Sequence, residues 1–333
     1  MKRSHFLQST LALAAPALLP AQANASAALK APRLRAGDLV GLISPAGAMQ
    51  SQAELQTGID QIKLLGLRPV VGKHAMEKWN GYLGGTDAAR AEDINTFARD
   101  PGIRGIFALR GGYGTMRILE AIDYQAFVRD PKIVFGFSDL TALLNAITLR
   151  TGLVTFHGPV AALSTYTPTV VQEIQAATMS VQPIGVLKNT TTVSVIPGRA
   201  QGRLAGGNLT LVAAVAGTPF AVPSAGSILL LEDVHEEPYR IDQLLTTLLL
   251  AGDLQKAAGI AVGAVTEPDR KLSNGPSDEL VETLHERLLA AGRPAVRGMQ
   301  FGHILNQWVL PLGLDAVLDA TAGTLTISEP AVV

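Results

Sequence analysis

Short, almost uninterrupted apolar runs alternate with segments of helical periodicity along most of this chain. The first run, residues 39–44, ends at Pro45, and residues 53–65 then carry apolar side chains at helical spacing. Runs this short and this continuously apolar are typical of strands that are buried on both faces. The alternation therefore predicts the α/β class, in which helices cover both faces of a parallel sheet.

Further units extend this pattern and divide the chain. Strands are expected at 105–109, 133–136 and 154–156, and helices at 87–97, 115–122 and 139–149. Residues 164–200 are rich in Thr, Val and Pro and lack a clear period. Strands resume at 228–231 and 260–265, and helices at 241–250 and 278–289. We expect an N-terminal parallel-sheet α/β domain over 32–163, a crossover linker over 164–200 and a C-terminal mixed α/β domain over 201–330.

The first residues have the three parts of a secretory signal peptide. Lys2 and Arg3 precede an apolar stretch over 6–19, and residues 21–23 (AQA) supply a small-residue cleavage site. The stretch is too short to span a bilayer and Pro16 interrupts it, which disfavours a membrane anchor. We expect residues 1–23 to be removed and the mature chain to be exported to the periplasm without an anchor.

Composition removes several classes of function. The chain of 333 residues has a formal net charge of −1, which gives no bulk attraction to nucleic acid or to an anionic membrane. It contains no cysteine, which excludes thiol catalysis, disulfides, cysteine-based zinc sites and a lipoprotein anchor. Neither a nucleic acid nor a membrane is therefore an expected partner.

A serine stands at the junction of a predicted strand and a predicted helix. Active sites of parallel α/β sheets lie beyond the carboxyl ends of the strands, and Ser138 occupies such a place within residues 135–140 (FGFSDL). A serine on this sharp a turn presents its hydroxyl, while the first helix amides point to where an oxyanion would form. Serine is also a common N-cap, and Leu140 replaces the second glycine of G-x-S-x-G. A structural role for Ser138 therefore stays open on the sequence pattern alone.

A glycine-rich loop follows the strand predicted at 105–109. Residues 110–114 are Arg-Gly-Gly-Tyr-Gly. Glycines let the backbone approach a ligand closely, and free amides before a helix bind anions. This loop could complete an oxyanion hole with the amide of Asp139. A tight turn and a phosphate loop are the alternatives, although the Lys-Ser/Thr of a P-loop is missing.

A serine nucleophile needs a base, and three histidines qualify by position. His157, His235 and His303 each stand at the end of an apolar segment, whereas His285 lies among charged residues of a predicted helix. Periodicity does not rank the three. Taken singly, each is better explained by a structural role than by a catalytic one.

Two carboxylates end the strongly apolar strand predicted at 228–231. Glu232 and Asp233 stand where a carboxylate is costly unless it is paired or functional, so one of them could orient the base. Together with His235 and Glu236 they could instead bind a metal. However, the chain has no H-E-x-x-H motif and this spacing matches no common metal site.

Eight short motifs occur in a characteristic order along the chain. They are residues 41–47 (GLISPAG), 81–87 (GYLGGTD), 110–114 (RGGYG), 136–139 (GFSD), 157–159 (HGP), 202–209 (GRLAGGNL), 231–233 (LED) and 302–303 (GH). In this order they resemble the LD-carboxypeptidase family of serine peptidases, which includes the microcin C self-immunity peptidases. The resemblance extends from about Pro32 to Asp315. Each motif is weak by itself, and the order makes the match specific.

The resemblance implies a Ser-Glu-His triad. Ser138 matches the family nucleophile, Glu232 the acid and His303 the base. The backbone amides of Gly112 and Asp139 would be the oxyanion donors. The nucleophile and its two partners would come from different domains, with the active site in the interdomain cleft. The resemblance also favours a homodimer and implies neither a metal nor an organic cofactor.

The family's usual substrate is the murein tetrapeptide, from which terminal D-Ala is removed at an L-centred diamino acid. The resemblance therefore implies a serine carboxypeptidase acting on a murein peptide. A cationic side chain would be the natural partner of the D-Ala carboxylate. Arg110 and Arg203 are the candidates for this contact, and Tyr113 is a further candidate for substrate binding.

Two alternatives stay open. Members of the immunity branch cut an amide in a peptidyl-nucleotide and use an aromatic stack for the base. No tryptophan stands between Trp79 and Trp308, which leaves Tyr166 as the substitute. An exported solute-binding protein would also have two α/β domains, a cleft and a signal peptide. It has no use for an activated serine, so labelling by a fluorophosphonate would distinguish it.

Overall fold

The computed structural model describes residues 27–162 and 164–333, so the signal peptide predicted over 1–23 lies outside the described residues. The strands of the first sheet are β1 (Leu39–Ile43), β2 (Arg68–Val71), β3 (Ile103–Ala108), β4 (Ile133–Gly136), β5 (Thr155–His157) and β12 (Leu310–Leu312). Their order is β12-β5-β4-β3-β1-β2. All neighbours are parallel except β12, which pairs antiparallel with β5.

Helices connect these strands in the predicted alternation. They are α1 (Gln52–Leu64), α2 (Asp87–Arg99), a 3-10 helix (Thr115–Ala121), α3 (Tyr124–Arg129) and α4 (Leu140–Thr151). The side chains of Ser51 and Thr86 accept hydrogen bonds from first-turn amides of α1 and α2, which fixes where those helices begin. Every residue of α4 from Leu140 to Ile147 is buried, because this helix packs against strands of both sheets.

The second sheet is mixed. Its strands are β6 (Gly185–Leu187), β7 (Val193–Ile196), β8 (Arg199–Asn208), β9 (Ile228–Asp233), β10 (Gly259–Val265), β11 (Ala295–Arg297), β13 (Asp315–Asp319) and β14 (Thr324–Ile327), in the order β6-β14-β13-β8-β9-β10-β11-β7. Strands β8 to β11 are parallel, and the outer pairs are antiparallel. The accompanying helices are α5 (Pro168–Thr178), α6 (Leu209–Val215), α7 (Pro238–Leu250), α8 (Asp253–Lys256), a 3-10 helix (Leu272–Asn274) and α9 (Asp278–Ala291).

The segment over 164–200, expected as a crossover linker, contains helix α5 and both edge strands of the second sheet. Strands β6 and β7 lie at opposite edges and are three and four residues long. Their side chains are mostly exposed or half-buried, because an edge strand packs against few neighbours. This exposure explains why the sequence shows no period there.

The structure confirms the prediction of two α/β units, one built on a parallel sheet and one on a mixed sheet. Strand β12 is a further unexpected element, because it comes from the C-terminal part of the chain and completes the first sheet. Within the described part of the chain, no helix has the length and apolar character needed to cross a membrane.

Candidate active site

Ser138 lies on a strained turn between β4 and α4. Its φ of +62° is in the left-handed region, which side chains larger than glycine seldom adopt. Helix α4 has Asp139 at its N-cap and no side-chain capping hydrogen bond. Among the described residues no hydrogen bond involves the Ser138 hydroxyl, so the alternative of a capping serine is wrong. The turn holds an unbonded, half-buried hydroxyl beyond the carboxyl end of a sheet strand.

The glycine loop over 110–114 packs directly against Ser138. A Cβ on Gly111 would lie 2.9 Å from both Cβ and Oγ of Ser138 and 3.6 Å from the amide nitrogen of Asp139. Only glycine permits this approach. The next residue, Gly112, is exposed and has a φ of +108°, which again requires glycine. The two backbone amides expected as oxyanion donors, those of Gly112 and Asp139, therefore belong to segments in contact beside the serine.

A buried arginine that the sequence analysis missed holds these loops. Arg90 on α2 is 1% exposed and donates to the carbonyl oxygens of Pro45 (2.6 Å) and Gly114 (2.8 Å), and also to the carboxylate of Asp87. A Cβ on Gly114 would lie 2.6 Å from its Nη1. Burial lowers the pKa of Arg90, while the bond to Asp87 opposes that shift. The helical period over 87–97 gave no indication that one arginine would point into the interior.

The residue after the serine is tied to the same loop. The Asp139 Oδ2 accepts a hydrogen bond of 2.8 Å from the amide of Thr115, and the Thr115 hydroxyl donates to the Asp139 carbonyl. Burial raises the pKa of Asp139, and these hydrogen bonds oppose the shift. Asp139 therefore anchors the turn through its side chain and leaves its amide for another role.

Glu232 and His303 form an acid–imidazole pair in which the acid is buried and the imidazole is half-buried. Glu232 stands near the carboxyl end of β9, is fully buried, and its Oε2 lies 2.7 Å from Nδ1 of His303. Its Oε1 has no hydrogen-bond partner among the described residues. Gly302, at φ +103°, makes the close approach possible, because a Cβ there would lie 2.7 Å from Oε2 of Glu232. Gly302 belongs to the motif over 302–303, and the sequence pattern did not predict this role for it.

The His303 ring lies next to the serine turn. Its centroid is 4.5 Å from that of Phe137, the residue before Ser138. No hydrogen bond joins Ser138 to His303 in the described structure, so their pairing belongs to the proposal made below.

Hydrogen bonds between α4 and β8 fix the second sheet against the serine turn. The side chain of Asn145 donates to the Gly206 carbonyl and accepts from the Gly206 amide, both at 2.9 Å. The amide of Asn208 donates to Oγ1 of Thr141 at 2.9 Å. Asn208 is in register with Glu232 on the neighbouring strand. The strand end that carries the acid is therefore held at the start of the helix that follows the nucleophile.

The other two candidate bases have different surroundings. His157 is fully buried between the rings of Phe137 and Phe301, and neither ring nitrogen has a hydrogen-bond partner in the described structure. Burial, with a contribution from nearby His303, lowers the pKa of His157 to about 3. His235 is exposed and has a φ of +56°. Of the three candidates, only His303 contacts a carboxylate.

The acidic cluster considered for a metal is divided between different partners. Asp233 accepts hydrogen bonds of 2.9 Å from the side chain of Asn208 and from both the amide and the hydroxyl of Thr210. Glu232 points instead to His303. In the part of the chain that the structure describes, no three His, Asp or Glu side chains are grouped to hold a metal ion.

The two candidate arginines for the substrate carboxylate lie in different places. Arg110 donates to the Ala48 carbonyl at 2.8 Å and lies 3.7 Å from the carboxylate of Glu54, so it supports the loop beside the serine. Arg203 is in register with Asp315 on β13, five residues before the Asn208 end of β8. That separation is roughly 16 Å of extended chain. The structure therefore does not bring Arg203 to the Glu232–His303 pair.

The two candidate tyrosines differ in exposure. Tyr113 is 49% exposed, next to Gly112, with its ring centroid 6.1 Å from that of Tyr82. Tyr166 is 5% exposed, and its hydroxyl donates to the Pro159 carbonyl at 2.9 Å. Tyr113 is therefore accessible to a substrate, whereas Tyr166 cannot present its ring for stacking.

Two cavities lie near these residues. One of about 320 Å³ is lined by Phe137, His303 and Ile304 among others, and so opens onto the imidazole. A larger one of about 390 Å³ lies at the carboxyl ends of β10 and β11. Both include Leu272 and Ile304 in their walls.

Serine hydrolases use the groups found here, namely a serine on a strained strand–helix turn, a glycine loop against it and a histidine paired with a buried carboxylate. Comparison with known protein families identifies the family to which the chain belongs. The model of the LD-carboxypeptidase N-terminal domain matches residues 40–158, and that of the LD-carboxypeptidase C-terminal domain matches residues 201–318. The chain therefore belongs to the LD-carboxypeptidase family, as its ordered motifs predicted.

Individual relatives cover nearly the whole chain. A probable murein peptide carboxypeptidase of Bacillus subtilis is 35% identical over 303 residues, covering 88% of this chain and 92% of that protein. The murein tetrapeptide carboxypeptidase of Pseudomonas aeruginosa is 34% identical over 290 residues, covering 84% and 92%. The microcin C7 self-immunity protein MccF of Escherichia coli is 27% identical over 336 residues, covering 90% and 96%. A solved structure of wild-type MccF in the apo state has a TM-score of 0.81 at 25% identity, covering 92% of this chain and all of that one.

Proposed function

We propose that this protein is a serine carboxypeptidase that releases terminal D-Ala from murein tetrapeptides by hydrolysing an L,D amide bond. The observation that carries the proposal is the 2.7 Å contact between Nδ1 of His303 and the fully buried Glu232, beside the strained turn of Ser138. The contact fixes the ring through Nδ1, which leaves Nε2 as the nitrogen that accepts a proton.

The first half of the reaction acylates the serine. Nε2 of His303 takes the Ser138 hydroxyl proton while Oγ attacks the carbonyl carbon of the scissile amide. The buried Glu232 stabilises the imidazolium that forms. The amides of Gly112 and Asp139 donate to the oxyanion of the tetrahedral intermediate. When the intermediate collapses, the C–N bond breaks, and His303 transfers its proton to the leaving amino group of D-Ala.

The second half returns the enzyme to its starting state. A water molecule gives a proton to Nε2 of His303 and attacks the acyl carbon, forming a second tetrahedral intermediate at the same two amides. Its collapse breaks the bond to Oγ of Ser138, which regains the proton from His303. The products are the shortened peptide acid and free D-Ala.

The murein substrate is supported by relatives and by one feature of this structure. The Bacillus and Pseudomonas relatives are named for murein peptides and are more similar in sequence than MccF. A peptidyl-nucleotide substrate would need an aromatic ring for its base, and Tyr166, the residue considered for it, is buried and hydrogen-bonded to Pro159. Its burial favours the murein peptide over the peptidyl-nucleotide.

Export to the periplasm is part of the proposal and rests on residues 1–23 alone. It places the enzyme where wall peptides are present. Cell fractionation followed by N-terminal sequencing should find the mature chain in the periplasm, beginning near Asn24. An unprocessed chain in the cytoplasmic fraction would contradict export without affecting the proposed chemistry.

Purified murein peptides test the reaction. The protein should be incubated with tri-, tetra- and pentapeptide and with the tetrapeptide C-terminal amide, and the products read by mass spectrometry. We expect efficient loss of D-Ala from the tetrapeptide only, with Ser138→Ala as the inactive control. Efficient cleavage of the amide, or of the D-Ala-D-Ala bond of the pentapeptide, would rule out an L,D-carboxypeptidase. A failure of fluorophosphonate to label Ser138 would favour the solute-binding alternative.

A further inference from the structure

The larger cavity, of about 390 Å³, is here called the carboxyl-edge cavity. Residues 263–267 at the end of β10 and residues 297–300 at the end of β11 form its base. Glu232 lies one residue before the end of β9, which is the parallel neighbour of β10 in the same sheet. Ligands of open α/β sheets bind beyond the carboxyl ends of the strands, in pockets of about this volume. The cavity thus lies along the same sheet edge as the proposed acid.

The walls of this cavity are apolar inside and structurally fixed. Leu280 and Leu284 of α9 and Met299 line it and are almost fully buried. The side chain of Asn189 donates to the Gly298 carbonyl at 2.8 Å, and the Thr191 hydroxyl donates to the same oxygen at 2.9 Å. The opening is therefore built from hydrogen-bonded segments.

The charges of this cavity are unbalanced. Arg297 is half-buried and its side chain has no hydrogen bond or ion pair in the described structure, and the exposed Lys271 has no charged partner there either. The acid in the wall, Glu267, accepts a hydrogen bond of 2.7 Å from the Ser277 amide and lies 3.8 Å from Arg270. Glu267 is therefore engaged elsewhere, and the guanidinium of Arg297 lacks a counter-ion. A half-buried guanidinium in an apolar surrounding is suited to bind a carboxylate.

The carboxyl-edge cavity adjoins the cavity that contains His303. Leu272 and Ile304 line both, and Ile304 directly follows His303 in the chain. A peptide placed with its scissile bond at the imidazole can therefore extend into the carboxyl-edge cavity. A terminal alanine is too small to fill it, so the group received there belongs to the acyl side of the substrate.

We infer that the carboxyl-edge cavity binds an acidic group on the acyl side of the peptide substrate, with Arg297 as its counter-ion. The inference rests on the proposed peptidase function and extends it to substrate selection. It makes a carboxylate remote from the scissile bond a determinant of affinity. Because this carboxylate does not take part in bond breaking, Arg297 should act on KM and leave kcat unchanged.

Arg297→Gln tests the inference, with Arg293→Gln as the matched control. Arg293 is exposed, lies just before β11 and is not part of the cavity wall, so the control makes the same change of charge elsewhere. We expect Arg297→Gln to raise KM for the murein tetrapeptide about 10- to 100-fold, the usual effect of removing a charge-assisted hydrogen bond. The kcat should stay within about twofold, and Arg293→Gln should match the wild type. An unchanged KM in Arg297→Gln would overturn the inference.

A second measurement changes the substrate and leaves Arg297 in place. A tetrapeptide with its acyl-side carboxylates amidated and its D-Ala carboxylate free should bind the inactive Ser138→Ala protein about 10- to 100-fold more weakly than the unmodified peptide. Calorimetry on Ser138→Ala measures this binding without turnover. Equal affinity for both peptides would overturn the cavity assignment. Arg297-dependent binding without hydrolysis by the wild type would instead overturn the proposed reaction and support the assignment.

Discussion

Replacing His157 by leucine should make the free energy of unfolding less dependent on pH below neutrality. His157 is fully buried with a pKa of about 3, compared with an ordinary value of 6.5. Between these two values the unfolded chain binds the proton that the folded protein excludes, so stability is complete above pH 6.5 and falls as the pH drops towards 3. From pH 7 to pH 5 the titration of His157 should lower the free energy of unfolding of the wild type by about 2 kcal/mol. The variant lacks this group and should not show that loss.

Urea unfolding at pH 7, 6 and 5, followed by circular dichroism, measures the effect. The quantity to compare is the change in unfolding free energy from pH 7 to pH 5, because any packing cost of leucine is common to both pH values and cancels. Neither ring nitrogen of His157 has a hydrogen-bond partner in the described structure, so the substitution breaks no bond. His285→Leu, on the exposed face of α9, is the control and should retain the wild-type pH dependence. If the His157→Leu protein loses as much unfolding free energy from pH 7 to pH 5 as the wild type, the claim that folded His157 stays unprotonated in this range is wrong.

Three further outcomes follow from the site. The variants Ser138→Ala, Glu232→Ala and His303→Ala should each remain folded and lower kcat by at least about 10³-fold, because triad members act as a unit. A normal kcat in His303→Ala, or a kcat lowered as far in His235→Ala as in Ser138→Ala, would contradict the assignment of the base. Activity should survive exhaustive treatment with EDTA, since no proposed step uses a Lewis acid, and loss that zinc restores would argue for a metal at the acidic cluster. Gly302→Ala should lower kcat at least about tenfold, since its methyl group would lie 2.7 Å from Oε2 of Glu232 at a φ of +103°; an unaffected rate would show that this close approach is dispensable.

Local patterns in the sequence were sufficient for most of the central strands and their helices and for the turn that holds Ser138. A buried strand running into a helix is a short-range signal, and the structure has β4 and α4 on either side of that serine. The choice of His303 was different, because Glu232 precedes it by 71 residues and no periodicity relates two such positions. The choice between His157, His235 and His303 came from the family resemblance, and the contact with the acid became visible only in the structure.

Long-range pairing also explains what the sequence analysis missed in the fold. Edge strands β6 and β7 are short, and their residues are mostly exposed or half-buried, so they carry no apolar alternation. The orientation of Arg90 depends on carbonyl oxygens contributed by two distant loops, those of Pro45 and Gly114. A local window sees only a charged residue on an amphipathic helix. Each of these features depends on residues that come together only in the folded chain.

Strand β12 has a consequence for attempts to recombine this protein with its relatives. It belongs to the part of the chain matched by the C-terminal family model, yet it is hydrogen-bonded to β5 at the edge of the N-terminal sheet. A fragment cut between the two family regions would leave β5 with an unpaired edge, which is a site for aggregation, and would leave β12 without a sheet. The two halves are therefore not interchangeable modules, and a working chimera must take β5 and β12 from the same parent.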